Sequence, residues 1–187
     1  MATRMLCGIP LLAALALPVS AAEVAGVRID EQTRVAGAEL ALKGAGLRKR
    51  LFVQVYAMGL YVADRKADPI AQGGAKRVAI HMLRDVDAET FAKALVDGMR
   101  PNHDEATMKA LEPRIAQLNA IMLGIKEARK GMAIALDWVP GAGTQVTLDG
   151  KAAGKPIEGE DFYRALLRIW LGEKPVQHDL KKALLGS

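Results

Sequence analysis

The segment Leu51-Phe-Val-Gln-Val-Tyr-Ala-Met-Gly-Leu-Tyr-Val62 is apolar at almost every position. Successive side chains of a β-strand point to opposite faces, and in this segment both faces are apolar. One face carries Leu51, Val53, Val55, Ala57 and Tyr61, and the other carries Phe52, Tyr56, Met58, Leu60 and Val62. Since a strand with two apolar faces is buried on both sides, we expect other elements to cover this strand on both faces.

Further strands are predicted before and after this segment. Alternating residues and nearby turns predict strands over residues 24–29, 38–42, 76–83, 132–139 and 144–148. Pro140-Gly-Ala-Gly143 joins the last two as a hairpin, and Asp149-Gly150 predicts another turn. Gly44-Ala-Gly46 predicts a turn or bulge and not a phosphate-binding loop, because no helix opens after it.

Helices are predicted between and after these strands. One begins at Asp87, and the next has a capping box formed by Asn102 and Glu105. Pro113 should kink or divide that second helix, because proline lacks the backbone N–H. Apolar residues at helical spacing predict a third helix that ends at Gly172, followed by a short one over residues 179–185. Separate runs of strands and helices predict an α+β fold, with helices on one face of an antiparallel sheet.

Residues 1–22 have the organisation of a secretory signal peptide. Arg4 precedes an apolar run over residues 6–17, and the small residues Val19-Ser-Ala-Ala22 follow. This run of about a dozen apolar residues is shorter than the roughly 20 that span a bilayer. We expect cleavage after Ala21 or Ala22, which leaves a single domain over residues 23–187 in a bacterial periplasm.

The composition excludes several classes of protein. The chain has 187 residues, of which 51% are hydrophobic, and a net charge of +5 that is not concentrated in one basic run. With three Phe, three Tyr and two Trp, it has too few aromatic residues for a surface that stacks nucleic-acid bases. No second long apolar run follows the signal peptide, so the mature chain is expected to lack a transmembrane segment.

The residues that carry common catalytic chemistry are sparse. His81, His103 and His178 are far apart in sequence and predict no metal site. The only serines are at positions 20 and 187, and the single cysteine lies in the signal peptide. A Ser-His-Asp triad and a thiol nucleophile are therefore excluded.

Two polar residues beside the apolar segment are candidates for ligand binding. Arg48, followed by Lys49 and Arg50, lies at the mouth of a predicted hairpin, either as part of a solvated turn or as an anion-binding group. Tyr56 is either a core tyrosine or a hydroxyl that faces a ligand cavity. The even separation of Arg48 and Tyr56 predicts that both lie on one face of a single regular strand.

Three stretches, 44–61, 161–176 and 179–184, together resemble the chalcone isomerase-like family of exported bacterial proteins. The characteristic segments are Phe52-x-x-x-Tyr-x-x-Gly-Leu-Tyr61 and Leu171-Gly-x-x-Pro-Val176. The similarity covers about residues 24–186. It implies an open-faced β-sandwich, in which a large antiparallel sheet is backed by helices and a ligand cleft lies between the two.

Plant chalcone isomerases of this fold use an arginine, two threonines, a tyrosine and an asparagine. The resemblance places the arginine at Arg48 and one threonine at Tyr56. It places the tyrosine near Phe91, the asparagine near Gly98 and the second threonine at Ile169. Most of the polar groups that the isomerases use are therefore missing from this chain.

The remaining pair, Arg48 and Tyr56, resembles the pair with which fatty-acid-binding members of the family hold a carboxylate. The predicted lining of the cleft is Met58, Leu60, Phe91, Leu95 and Trp170. We therefore expect a non-catalytic protein that binds a small amphipathic anion such as a fatty acid, without a metal or cofactor. Two alternatives stay open: an isomerase or intramolecular lyase in which Arg48 stabilises an oxyanion, and a structural envelope protein with a vestigial cleft. Arg50 is the alternative to Arg48 as the anion-binding group.

Overall fold

A seven-stranded antiparallel sheet forms the centre of the fold in a computed structural model, which describes residues 21–186. The predicted signal peptide thus lies almost entirely outside the described residues. The strands are β1 (Ala21–Val24), β2 (Val27–Asp30), β3 (Gln32–Val35), β4 (Ala38–Arg50), β5 (Val53–Val62), β6 (Lys76–Met82), β7 (Val86–Asp87), β8 (Glu127–Ala128), β9 (Ala133–Val139), β10 (Gly143–Leu148) and β11 (Lys151–Ile157). The large sheet has the order β11-β10-β9-β6-β5-β4-β3, while β1 pairs with β2 and β7 pairs with β8.

Within the described part of the chain, four α-helices pack on one face of this sheet. They are α1 (Ala88–Met99), α2 (Glu105–Leu123), α3 (Glu160–Leu171) and α4 (His178–Leu185), and a 3₁₀ turn over Arg100–Asn102 follows α1. Their apolar sides and one sheet face form the main core. This arrangement confirms the α+β class and the sheet backed by helices. None of the helices within residues 21–186 is long and apolar enough to cross a membrane.

Strand β5 is covered on both sides, as its two apolar faces predicted. Met58 and Leu60 are buried in the core under the helices. Ala57 and Tyr61 are buried on the opposite face, in a smaller cluster to which β2 contributes Ile29. The prediction fails at the start of the segment, because residues 51 and 52 form an exposed turn between β4 and β5.

Strand β4 extends well beyond the predicted residues 38–42. Its register shifts between Leu42 and Gly44, which confirms the predicted bulge. A side chain at Gly44 would lie 2.1 Å from the backbone oxygen of Ala183. Glycine at this position therefore lets α4 lie directly against β4.

Other differences from the predictions have local causes. The predicted strand over residues 24–29 is a hairpin, because Ala25 and Gly26 adopt φ values of 52° and 79° and reverse the chain. Strand β3 was not predicted. Strand β11 was not predicted either, because most of its residues are exposed at the sheet edge and it has no apolar run.

The predicted cap of the second helix is corrected. Asn102 lies in the 3₁₀ turn, and its side chain bonds the backbone of Lys174 instead of capping a helix. Asp104 caps α2 by accepting from the Thr107 N–H at 2.7 Å. Pro113 does not divide α2, which continues through it to Leu123.

Candidate functional site

A cavity of about 580 Å³ lies where α1 meets the hairpin end of β4 and β5. Its volume falls within the range of roughly 300–1,000 Å³ that is typical of small-molecule sites. Apolar side chains from β5, α1, α3 and the segment before α4 form its walls: Val55, Phe91, Leu95, Ile169 and Val176. Three arginines line its mouth: Arg48, Arg50 and Arg84. The cavity is thus apolar inside and cationic at its opening.

Arg48 and Tyr56 are both on the cavity wall, although not for the predicted reason. They lie on two neighbouring strands, and residues 51 and 52 turn the chain between them. In the antiparallel register Arg48 is directly opposite Tyr56. Directly opposed residues project to the same face of a sheet, so pairing between strands brings the two side chains together.

Tyr56 is buried, and its hydroxyl oxygen accepts a hydrogen bond of 2.9 Å from Trp170 Nε1. Burial raises the pKa of the Tyr56 phenol, while the Trp170 hydrogen bond and the Arg48 charge act in the opposite direction. The phenol is therefore neutral near pH 7. Because its oxygen accepts from Trp170, the hydroxyl keeps its own proton to donate to a ligand.

Gln177 holds Arg48 at the cavity mouth. The Gln177 side chain accepts from the backbone N–H of Lys49 at 2.8 Å and donates to the carbonyl of Leu47 at 3.0 Å. Its oxygen also accepts from Arg48 Nη1 at 3.3 Å, and Nη1 donates to the Lys49 carbonyl as well. A guanidinium has five N–H donors, so donors remain for an anion. We did not predict this role for Gln177, although it directly follows the Leu171-Gly-x-x-Pro-Val176 segment.

Two carboxylates also line the mouth, and both bind backbone N–H groups. Asp85 accepts from the N–H of Lys130 at 2.7 Å. Asp87 caps α1 by accepting from the N–H of Thr90 at 2.8 Å, and hydrogen bonding with Thr90 lowers the pKa of this carboxyl group. Arg48 donates to Gln177 and to the Lys49 carbonyl and not to either carboxylate, so it stays available for an external anion.

The other predicted lining residues separate into two groups. Phe91 and Leu95 line the cavity from α1. Met58, Leu60 and Trp170 are at most 1% exposed and lie in the core behind the cavity wall. Trp170 reaches the site through its hydrogen bond to Tyr56.

A smaller cavity of about 290 Å³ lies on the opposite face of the sheet, lined in part by Tyr61, Arg77 and His81. His81 is half-buried there, and burial lowers its pKa. Arg77 donates two hydrogen bonds to Asp137, at 2.7 and 2.6 Å. Since a carboxylate of the protein already binds this arginine, the cavity is a poor site for an anion.

Comparison with known proteins assigns the chain to a family. A family model described as chalcone isomerase-like matches residues 21–186. This chain belongs to the chalcone isomerase-like family. A search of curated proteins finds no match.

Among solved structures, this member of the chalcone isomerase-like family resembles a fatty-acid-binding protein from Arabidopsis thaliana. The two share 16% sequence identity with a TM-score of 0.64, over 86% of this chain and 92% of the plant protein. At this identity, the likeness shows the fold. The chalcone isomerase-like fold that the sequence predicted is therefore confirmed.

Proposed function

We propose that the chain binds a fatty acid, or a closely related amphipathic anion, in the cavity between α1 and the hairpin end of β4 and β5. The observation that carries the proposal is the pairing of Arg48 with Tyr56 at the mouth of an apolar cavity. A guanidinium and a phenol can both donate hydrogen bonds to one carboxylate, and the charge of the carboxylate strengthens both bonds. The apolar walls accept the acyl chain.

The energetic terms support an amphipathic ligand over a small hydrophilic acid. Each buried methylene contributes about 0.8 kcal/mol, so burial of about ten methylenes contributes on the order of 8 kcal/mol. The charged head contributes about 1.5–3 kcal/mol through its hydrogen bonds. The tail therefore supplies most of the affinity, and Arg48 sets the orientation.

The protonation state of Tyr56 suits a hydrogen bond to the head of the ligand. Because burial raises its pKa, the phenol is a hydrogen-bond donor at neutral pH and a poor general base. The similar solved structure belongs to a fatty-acid-binding protein, which supports the same proposal.

Delipidated protein should bind palmitate tightly and hexadecanol less tightly, as measured by titration calorimetry. The two ligands have the same chain length, but the alcohol cannot form the charge-assisted hydrogen bonds of the carboxylate. The expected difference is roughly tenfold or more in Kd. Equal affinities would remove the anion-binding role of the mouth, and no binding of either ligand would contradict the proposed function.

The same titration locates the site when it is repeated with Ala94→Phe. Ala94 lines the cavity from α1 and is exposed, so a phenyl ring there takes up space in the cavity without disturbing the core. We expect weaker palmitate binding and an unchanged unfolding temperature. The matched control is Ala106→Phe on the exposed side of α2, which should bind palmitate normally.

We also propose that the protein acts in the periplasm. The predicted signal peptide supports this location, and its removal should leave a mature chain that begins at Ala22 or Glu23. Intact-mass spectrometry of the periplasmic fraction measures this directly. A periplasmic chain that retains Met1 would contradict the cleavage prediction.

A further inference from the structure

The turn between β4 and β5 exposes large apolar side chains to solvent. Leu51 is 88% exposed, Phe52 is 99% exposed and Val53 is 43% exposed. We call residues 48–53 the hairpin tip. Leu51 and Val53 lie at the cavity mouth, whereas Phe52 is not among the cavity-lining residues. The exposure of Phe52 therefore has no explanation in the packing of the domain or in the proposed ligand site.

The backbone conformation supports a role for this exposure. Leu51 has a φ of 56°, a left-handed conformation that is unfavourable for a bulky side chain. A turn of this kind is normally occupied by Gly, Asn or Asp. The hairpin tip thus combines an unfavourable backbone conformation with solvent-exposed apolar side chains.

Basic residues flank the exposed pair. Arg48, Lys49 and Arg50 precede it in β4, and Arg84 lies across the cavity mouth. Lys49 and Arg50 are exposed. An apolar tip flanked by the basic residues at the end of β4 is complementary to a bilayer with anionic headgroups, where apolar side chains enter the acyl boundary and basic groups contact phosphates.

We propose that the hairpin tip docks on an anionic lipid surface, with Leu51 and Phe52 inserted and Lys49 and Arg50 at the headgroups. A protein partner fits less well, since a stable interface buries roughly 800 Å² on each side and the tip offers only two or three apolar side chains. Reversible interfacial lipid binding, by contrast, adds the burial of a small apolar area to the attraction between basic side chains and anionic headgroups. Docking in this way places the cavity mouth at the membrane surface. The proposal does not depend on which ligand the cavity holds.

Sedimentation with lipid vesicles tests the proposal. The protein should bind vesicles that contain phosphatidylglycerol, bind pure phosphatidylcholine vesicles weakly, and dissociate at high salt. Phe52→Ser should lower the partition coefficient roughly tenfold or more, because it removes the aromatic side chain that inserts into the bilayer. Lys49→Glu should lower it roughly fivefold or more, because one basic contact is lost.

Matched controls lie elsewhere on the surface. Leu123→Ser removes another exposed apolar side chain, at the end of α2, and Lys151→Glu reverses an exposed charge at the start of β11. Both should bind vesicles like the wild type. A wild type that binds no anionic vesicle, or a Phe52→Ser variant that binds normally, would overturn the proposal.

A second copy of the chain is the alternative occupant of the tip. Analytical ultracentrifugation tests this alternative. If the wild type forms a dimer that Phe52→Ser dissociates, and the wild type does not bind vesicles, the tip is an interface between copies and the lipid proposal is wrong. Palmitate titration of Phe52→Ser in the absence of lipid should match the wild type. Failure of vesicle docking is thereby distinguished from failure of the ligand site.

Discussion

Replacement of Arg48 by alanine should weaken palmitate binding by roughly tenfold to 150-fold, because a charge-assisted hydrogen bond contributes about 1.5–3 kcal/mol. Arg48 lies opposite Tyr56 and is positioned by Gln177, so no neighbouring side chain takes over its geometry. The measurement is titration calorimetry with palmitate in the absence of lipid vesicles. The domain should stay folded, because Arg48 is only half-buried.

Tyr56→Phe should have a smaller effect on binding, roughly tenfold, because it removes one hydrogen bond to the carboxylate but leaves the positive charge and the N–H donors of Arg48 in place. It also leaves the buried Nε1 of Trp170 without its acceptor. Stability should therefore fall by about 1–3 kcal/mol. The binding titration must be made well below the unfolding temperature of this variant.

Arg50→Ala is the matched control for Arg48→Ala. Arg50 is exposed and pairs with Val53 instead of Tyr56, although it also lines the mouth, so its removal should weaken palmitate binding much less than the removal of Arg48. Normal binding by Arg48→Ala together with lost binding by Arg50→Ala would move the anion site to Arg50. If neither change affects palmitate, the ligand lies elsewhere in the molecule.

Gly44→Ala should destabilise the domain by about 2–4 kcal/mol, since overpacking and lost burial both contribute. The added methyl group would lie 2.1 Å from the Ala183 carbonyl oxygen and 2.7 Å from that of Leu184. Because these are backbone atoms, the whole of α4 must shift. That shift would expose part of Leu180 and Leu184, which are at most 1% exposed.

Thermal unfolding measured by circular dichroism detects this loss. For a domain of this size the expected decrease in Tm is roughly 4–16 °C. Gly73→Ala is the control, because nothing lies within 4 Å of the added methyl group and its φ is not positive. Equal Tm values for the two variants would show that the contact between α4 and β4 contributes little.

The fold was predictable where the pattern is strong and local. Residues 56–62 of β5 are apolar on both faces, and this alone indicated a strand buried on both sides. The start of the same run was predicted wrongly, because Leu51 and Phe52 are apolar but form an exposed turn. Apolar side chains in a strand are normally buried. The apolar pattern alone does not distinguish them from apolar side chains that are exposed at an interaction site.

The candidate site was predictable only in part. Alternation correctly placed Tyr56, Met58 and Leu60 on one face of the sheet. Alternation does not show how deeply each of these side chains is buried. The helices cover Met58 and Leu60, while the cavity stays open beside Tyr56. Trp170 was assigned to the cleft wall for the same reason. The apolar side of α3 predicts that Trp170 is buried, but it does not show whether the cavity or other core residues lie next to it.

The sequence by itself determined the class of fold, the family and the central strand, because these depend on periodicity and on motifs within short stretches. Only the tertiary structure decided which side chains meet. Arg48 faces Tyr56 through pairing between two strands, and Gln177 reaches back to Leu47, which lies 130 positions earlier. Contacts between distant residues depend on how whole helices and strands pack, and no local pattern encodes that packing.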